Sequence, residues 1–168
     1  MDELDPQLRA IATVHGLKAG ASTVVYLGPL IQSVAENARL LYGASIEINV
    51  PERLRLLELQ EEESVPLALV LNELLCNACK HGAGDALEIR SSWDNGAAMI
   101  AVVNSVARGV PVPDIDGAAP GSGIVRARLL LPHGRGSLRY ELDGDRISAI
   151  IRLDESVFEA PANRGRDA

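Results

Sequence analysis

Four polar side chains recur at helical spacing in the stretch from Leu69 to Gly82: Glu73, Asn77, Lys80 and His81. On a helix turning about 100° per residue, Leu67, Val70, Leu71, Leu74 and Ala78 fall on one apolar face, and Glu73, Asn77 and Lys80 form a narrow polar stripe beside it. Glu73 and Asn77, four apart, are stacked neighbours on that stripe. A carboxylate and an amide oxygen placed in this way can hold Mg²⁺ and a water beside a phosphate, with Lys80 and His81 adding positive charge near the helix end. From spacing alone, an amphipathic helix with a solvated polar stripe is the simpler account.

Two further clusters could carry chemistry. Gly121-Ser-Gly-Ile124 follows a stretch rich in glycine and proline and opens a helix, so its backbone donors and positive helix end could face phosphate groups. Cys76 and Cys79 read as C-x-x-C, but no second cysteine pair exists to complete a zinc site, although His81 is close. A thioredoxin-like pair belongs at a strand-to-helix turn, whereas these two lie inside a helical stretch. They read as small hydrophobic helix residues.

The string LNELLCNACKHG resembles the N-box of GHKL ATPases, and especially that of sensor histidine kinases, with its E-x-x-x-N-x-x-K-H pattern. The resemblance implies a two-layer α/β sandwich of the Bergerat type, an α+β fold with a mixed sheet and helices on one face. It also implies ATP and Mg²⁺ as ligands, Glu73 as catalytic base or water-positioning group, and Glu73 with Asn77 at the metal. Asn77, Lys80, His81, Asn104, Gly121, Gly123 and Ile124 then fall at the ATP-binding positions. The implied activity is transfer of the ATP γ-phosphate to a histidine outside this chain, because the acceptor segment of the family precedes the position of residue 1. Arg9 to Leu17 resembles the last stretch of the dimerisation helices, which leaves His15 at a non-acceptor position; it and His133 read as structural and surface residues.

This chain departs from the family pattern at the adenine motif. Asn104 stands where an aspartate accepts from the adenine amino group, and Val106 and Arg108 stand where glycines sit. An amide oxygen accepts more weakly than a carboxylate, and bulky residues obstruct close approach of backbone to ligand. Val125 likewise replaces a glycine of the second motif. Three functions are compatible: the catalytic domain of a histidine kinase, a degenerate kinase-like phosphotransferase or adaptor that no longer binds ATP, and an anti-sigma-type serine kinase. The partners implied are a response regulator or phosphoacceptor domain, and a second copy of the chain in a homodimer.

The elements that must position these residues can be read from periodicity. Residues 5–18 read as the end of a helix, broken at Ala19-Gly-Ala-Ser22, and Val24 to Tyr42 as an amphipathic helix closed by Gly43. Ser45 to Val50 and Arg53 to Leu56 alternate like strands. Glu61-Glu-Glu63 with Ser64 and Pro66 marks the start of the helix that runs to Lys80 or His81, the serine being a candidate cap. Two hairpins follow, around Asp94-Asn-Gly96 and around Asp143-Gly-Asp145, separated by the loop between Ser105 and Gly123 and a helix ended by Pro132. The divisions expected are a dimerisation-type helix or linker at 1–20, the ATPase-like domain at 21–156 and a frayed polar tail at 157–168.

Composition narrows the setting. Sixteen Lys and Arg against 23 Asp and Glu give a net charge of −7, which disfavours nonspecific nucleic-acid binding. No apolar run approaches the roughly 18 residues of a membrane span and no secretory leader pattern opens the chain, so a cytoplasmic protein is expected.

Overall fold

The computed structural model describes residues 6–18, 24–84, 86–119 and 122–159. The order is α1 (Pro6–Lys18), β1 (Val25–Tyr26), α2 (Leu27–Tyr42), β2 (Ser45–Asn49), α3 (Glu52–Arg55), β3 (Glu58–Leu59), α4 (Glu61–His81), β4 (Ala86–Asp94), β5 (Ala97–Ser105), α5 (Gly123–Leu130), β6 (Gly136–Asp143) and β7 (Arg146–Asp154). A single-turn 3₁₀ helix, Glu155–Val157, follows.

Five strands form the main sheet in the order β2-β4-β5-β7-β6, with β2 parallel to β4 and every other pair antiparallel. It is the mixed sheet expected of the fold class. Both hairpins turn where the sequence signals them: Asn95 and Gly96 have φ of 47° and 74°, the left-handed pair that a two-residue turn requires, and Gly144 has φ of 63°. Register puts Leu87, Ile89, Ile100, Val102, Ile151 and Leu153 on one face, all buried in the core. The opposite face carries Glu88, Arg90, Arg139 and Glu141, with ion pairs from Arg146 to Glu88 (2.9 Å) and from Arg139 to Glu141 (2.9 Å). Apolar and polar side chains alternate in β4 and β6, whereas β5 and β7 bury apolar residues on both faces, Val103 and Ile150 lying among the charged groups of the outer one.

Helix α4 lies at the centre of the helical layer, against α1, α2 and α5. Leu67, Val70, Leu71, Leu74 and Ala78 are buried, as the helical spacing requires. Cys76 is buried and accepts from the Tyr42 hydroxyl at 3.2 Å, while Cys79 is half-buried and burial pushes its thiol pKa up. Both are free thiols inside the helix. Helix α2 closes on Gly43, whose φ of 66° is the left-handed conformation that glycine adopts without penalty.

Several expectations are corrected. The helix expected from Val24 begins at Leu27, because Val25 and Tyr26 pair with Leu59 and Glu58 as a short antiparallel ribbon. Arg53 to Leu56 is helical rather than extended: Leu54 and Arg55 amides both donate to the Pro51 carbonyl, at 2.9 and 3.0 Å. Ser64 does not cap α4, which is preceded by Gln60; its hydroxyl is buried and donates to the Glu61 carbonyl at 2.9 Å. The tail expected to fray from residue 157 is anchored at its start, where Val157 and Phe158 are buried and Phe158 bridges to Leu59. Arg135 secures the same region by donating to the Ser156 carbonyl at 3.0 Å and pairing with the buried Glu63 at 2.5 Å. At the other end, α1 belongs to the same core, with Ala10 and Val14 buried and Thr13 accepting from Asn37 at 2.7 Å. The break expected at residues 19–22 lies outside the described residues.

Candidate active site

Packing of α5 across the C-terminal half of α4 builds the site. A Cβ on Gly123, the first residue of α5, would stand 2.6 Å from Glu73 Oε2 and 3.4 and 3.6 Å from the two polar atoms of the Asn77 amide. Any side chain there would displace the carboxylate, so glycine is required by close approach rather than by its φ. Ser122 caps α5, its hydroxyl accepting from the Val125 amide at 3.4 Å. The carboxylate, the amide and a helix N-terminus therefore meet at one point. One turn further along α5, Arg126 reaches back to Glu73, with Nη2 3.3 Å from Oε1. That contact is not among the residues expected from sequence. The signal was present in the spacing, because a residue three beyond Gly123 shares its helix face.

Beside this point opens a cavity of about 410 Å³, walled by α4, β5, β7, the 106–119 loop and the start of α5. Its interior is apolar, with Leu74, Val102, Val106, Ile147 and Ala149 on the walls. Tyr140 adds an aromatic wall, and burial pushes its phenol up to about 12. The polar side chains in the lining are few: Asn77, His81, Asn104, Ser122 and the Tyr140 hydroxyl. Apolar walls with a few convergent polar groups are the usual build of a small-molecule site.

Asn104, only 6% exposed, sits on β5 opposite Leu87 and Ile147, and its Nδ2 donates to the Ser105 carbonyl at 3.1 Å. Val106, at a position where the family pattern has glycine, is buried in the wall, while Arg108 is exposed. The remaining expected residues divide. Ile124 and Gly123 line the cavity, His81 lines it from an exposed position, and Lys80 is exposed and outside the lining. Gly121 lies outside the described residues. His15 and His133 are exposed.

The loop over the cavity has internal order. Asp114 accepts from the amides of Asp116 and Gly117 at 3.1 and 2.9 Å, and Asp116 pairs with Arg128 of α5 at 2.6 Å. Val110, Pro111 and Pro113 from this loop line the cavity. An exposed ion pair thus links the loop to α5.

The donors fit a shared divalent cation better than a cation held by protein alone. Glu73 and Asn77 offer hard oxygen ligands, and among the described residues no group of three or more His, Cys, Asp or Glu could hold a metal. A Mg²⁺ here would take its other ligands from phosphate and water, which is its habit in nucleotide sites. Among the described residues no helix is long and apolar enough to cross a membrane.

No family model matches the chain, and no curated protein does. Solved structures do. The histidine kinase domain of the Erythrobacter litoralis EL346 blue-light activated histidine kinase superposes with a TM-score of 0.69 at 18% identity, covering 93% of this chain and 76% of that one. The catalytic domain of histidine kinase ThkA matches with a TM-score of 0.62 at 18% identity, over 79% of this chain and 96% of that one. Acinetobacter baumannii histidine kinase AdeS gives 0.61 at 15% identity, over 89% and 75%. At such identities the likeness establishes fold, and the chain has the fold of these histidine kinase catalytic domains.

Proposed function

We propose that the chain is the ATP-binding catalytic domain of a two-component sensor histidine kinase, passing the γ-phosphate of Mg-ATP to a histidine outside residues 1–168. The observation that carries this reading is the meeting of Glu73, Asn77 and the N-terminus of α5 at the mouth of an apolar cavity with the buried Asn104 in its wall. An apolar slot suits a base, and the polar mouth suits phosphates. Bound Mg²⁺ would neutralise phosphate charge between Glu73 and Asn77. For that, Glu73 must leave Arg126, which is then free to face the polyphosphate. Glu73 next to the terminal phosphate would orient or deprotonate the attacking group. A phosphoacceptor domain and a response regulator are the partners this reading requires.

A second reading has its own support. Arg126 on Glu73 and a neutral reader at Asn104 both suit an adaptor that keeps the fold without using nucleotide. Calorimetric titration of ATP with and without Mg²⁺, on the wild type and Asn77→Ala, separates the two. The kinase reading expects Mg-dependent binding that weakens by about tenfold or more in Asn77→Ala, with little change in the melting midpoint because Asn77 lies outside the packed face. No binding to the wild type establishes the adaptor reading. A variant that melts far earlier yet still binds makes Asn77 structural.

A further inference from the structure

We propose that the cavity accepts purine nucleotides with a 6-keto group about as well as those with a 6-amino group. This rests on the nucleotide reading above and specifies the base that the site takes. Among the polar residues lining the cavity, Asn104 is the one buried in its wall, surrounded there by Val102, Val106 and Ile147. A planar base in this slot has Asn104 as its buried polar partner, since Asn77 stands at the mouth with Glu73 and Gly123.

A carboxamide carries one carbonyl oxygen and two N–H donors. One N–H is committed to the Ser105 carbonyl at 3.1 Å, and Nδ2 packs within 3.2 Å of the place a Cβ on Gly82 would occupy. Reversing the amide would set two carbonyl oxygens against each other, so that bond fixes the side chain's orientation. Oδ1 and the second N–H remain for a ligand. With its 6-position against Oδ1, a 6-amino purine donates to that oxygen; shifted in the slot by about the width of the carboxamide, a 6-keto purine accepts from the N–H instead. A carboxylate at this position would offer acceptors only and would repel a keto oxygen. The neutral amide therefore removes the feature that makes such a slot select against keto purines, and it leaves either base with one satisfied hydrogen bond.

The test needs first only the unmodified chain. With Mg²⁺ present, ATP, ITP and GTP are titrated calorimetrically; ITP differs from ATP at the 6-position and the adjoining ring nitrogen without the extra 2-amino group of GTP. Dissociation constants for ATP and ITP are expected within about threefold and GTP within about tenfold. Asn104→Asp should shift the ATP-to-ITP preference by about tenfold or more toward ATP, and Asn104→Leu should weaken both alike. Circular dichroism checks that each variant folds, and the wild-type series decides the matter if one does not. ITP binding about a hundredfold weaker than ATP in the wild type overturns the proposal while leaving the nucleotide reading intact. Failure of all three ligands to bind overturns both.

Discussion

Gly123 separates site geometry from stability at the scale of one residue. The atom that a new Cβ would meet at 2.6 Å is Glu73 Oε2, the far end of a flexible side chain, rather than backbone. Gly123→Ala should therefore fold with a cost below about 1 kcal/mol, the carboxylate simply rotating away. On the function proposed above, phosphoryl transfer should fall by about tenfold or more, because the displaced carboxylate is the group proposed to face the reacting phosphate. Single-turnover kinetics beside a melting curve checks this, and parallel losses in both would mean that Gly123 matters for packing. The sequence disclosed Glu73, Asn77 and Gly123 through spacing and motif, yet it did not disclose that they touch. Spacing placed Arg126 on the helix face of Gly123 but did not name Glu73 as its partner, which is set only when α5 docks.

Among the elements, the first hairpin and α4 were legible because long periodic signals and turn residues agree with the tertiary context. The segment Arg53 to Leu56 was not. Its alternation implies two leucines on one face, but Leu54 is 1% exposed and Leu56 is 66% exposed, because Pro51 starts a helical turn that packs only Leu54 inward. The ribbon of β1 and β3 consists of two-residue strands, too short for any period to register. That same corner makes a second glycine critical. A Cβ on Gly28 would lie 2.7 Å from Arg55 Cβ, 2.9 Å from its Cα and 3.0 Å from its carbonyl oxygen, so backbone must move. Gly28→Ala is expected to cost about 1–3 kcal/mol, in contrast to the mild cost at Gly123, and denaturant unfolding of the two variants side by side measures the difference.

Across the whole molecule, one core joins the helical layer to one face of the sheet, from Ala10 in α1 to Phe158 after β7. The boundaries expected at residues 20 and 157 follow composition, which registers polar character but not long-range packing. Val157 and Phe158 are two apolar residues in a polar stretch, and their burial depends on β3 and on Arg135, far away in sequence. The charged residues of the sheet's outer face are implied by alternation in β4 and β6, whereas β5 has no such alternation and the face that the helices cover is fixed by register across four strands.

The central strand carries a consequence for chain connectivity. β5 pairs with β4 on one side and with β7 on the other, through nine registered residue pairs from Ala97↔Asp154 to Ser105↔Arg146. The exposed stretch Ala107 to Val112 separates the halves that this ladder joins. A protease cutting there should leave two pieces that stay together without a peptide link, because the ladder and the α4–α5 contact outlast the cut. Nicked protein should elute from gel filtration at the intact size and part into two fragments only in denaturant. Separate elution under native conditions would show that continuity of the loop holds the halves together. If the pieces do associate, residues upstream and downstream of the cut can be expressed as separate chains and recombined, and regain of fold on mixing would then report on the combined strength of the β5–β7 ladder and the α4–α5 contact.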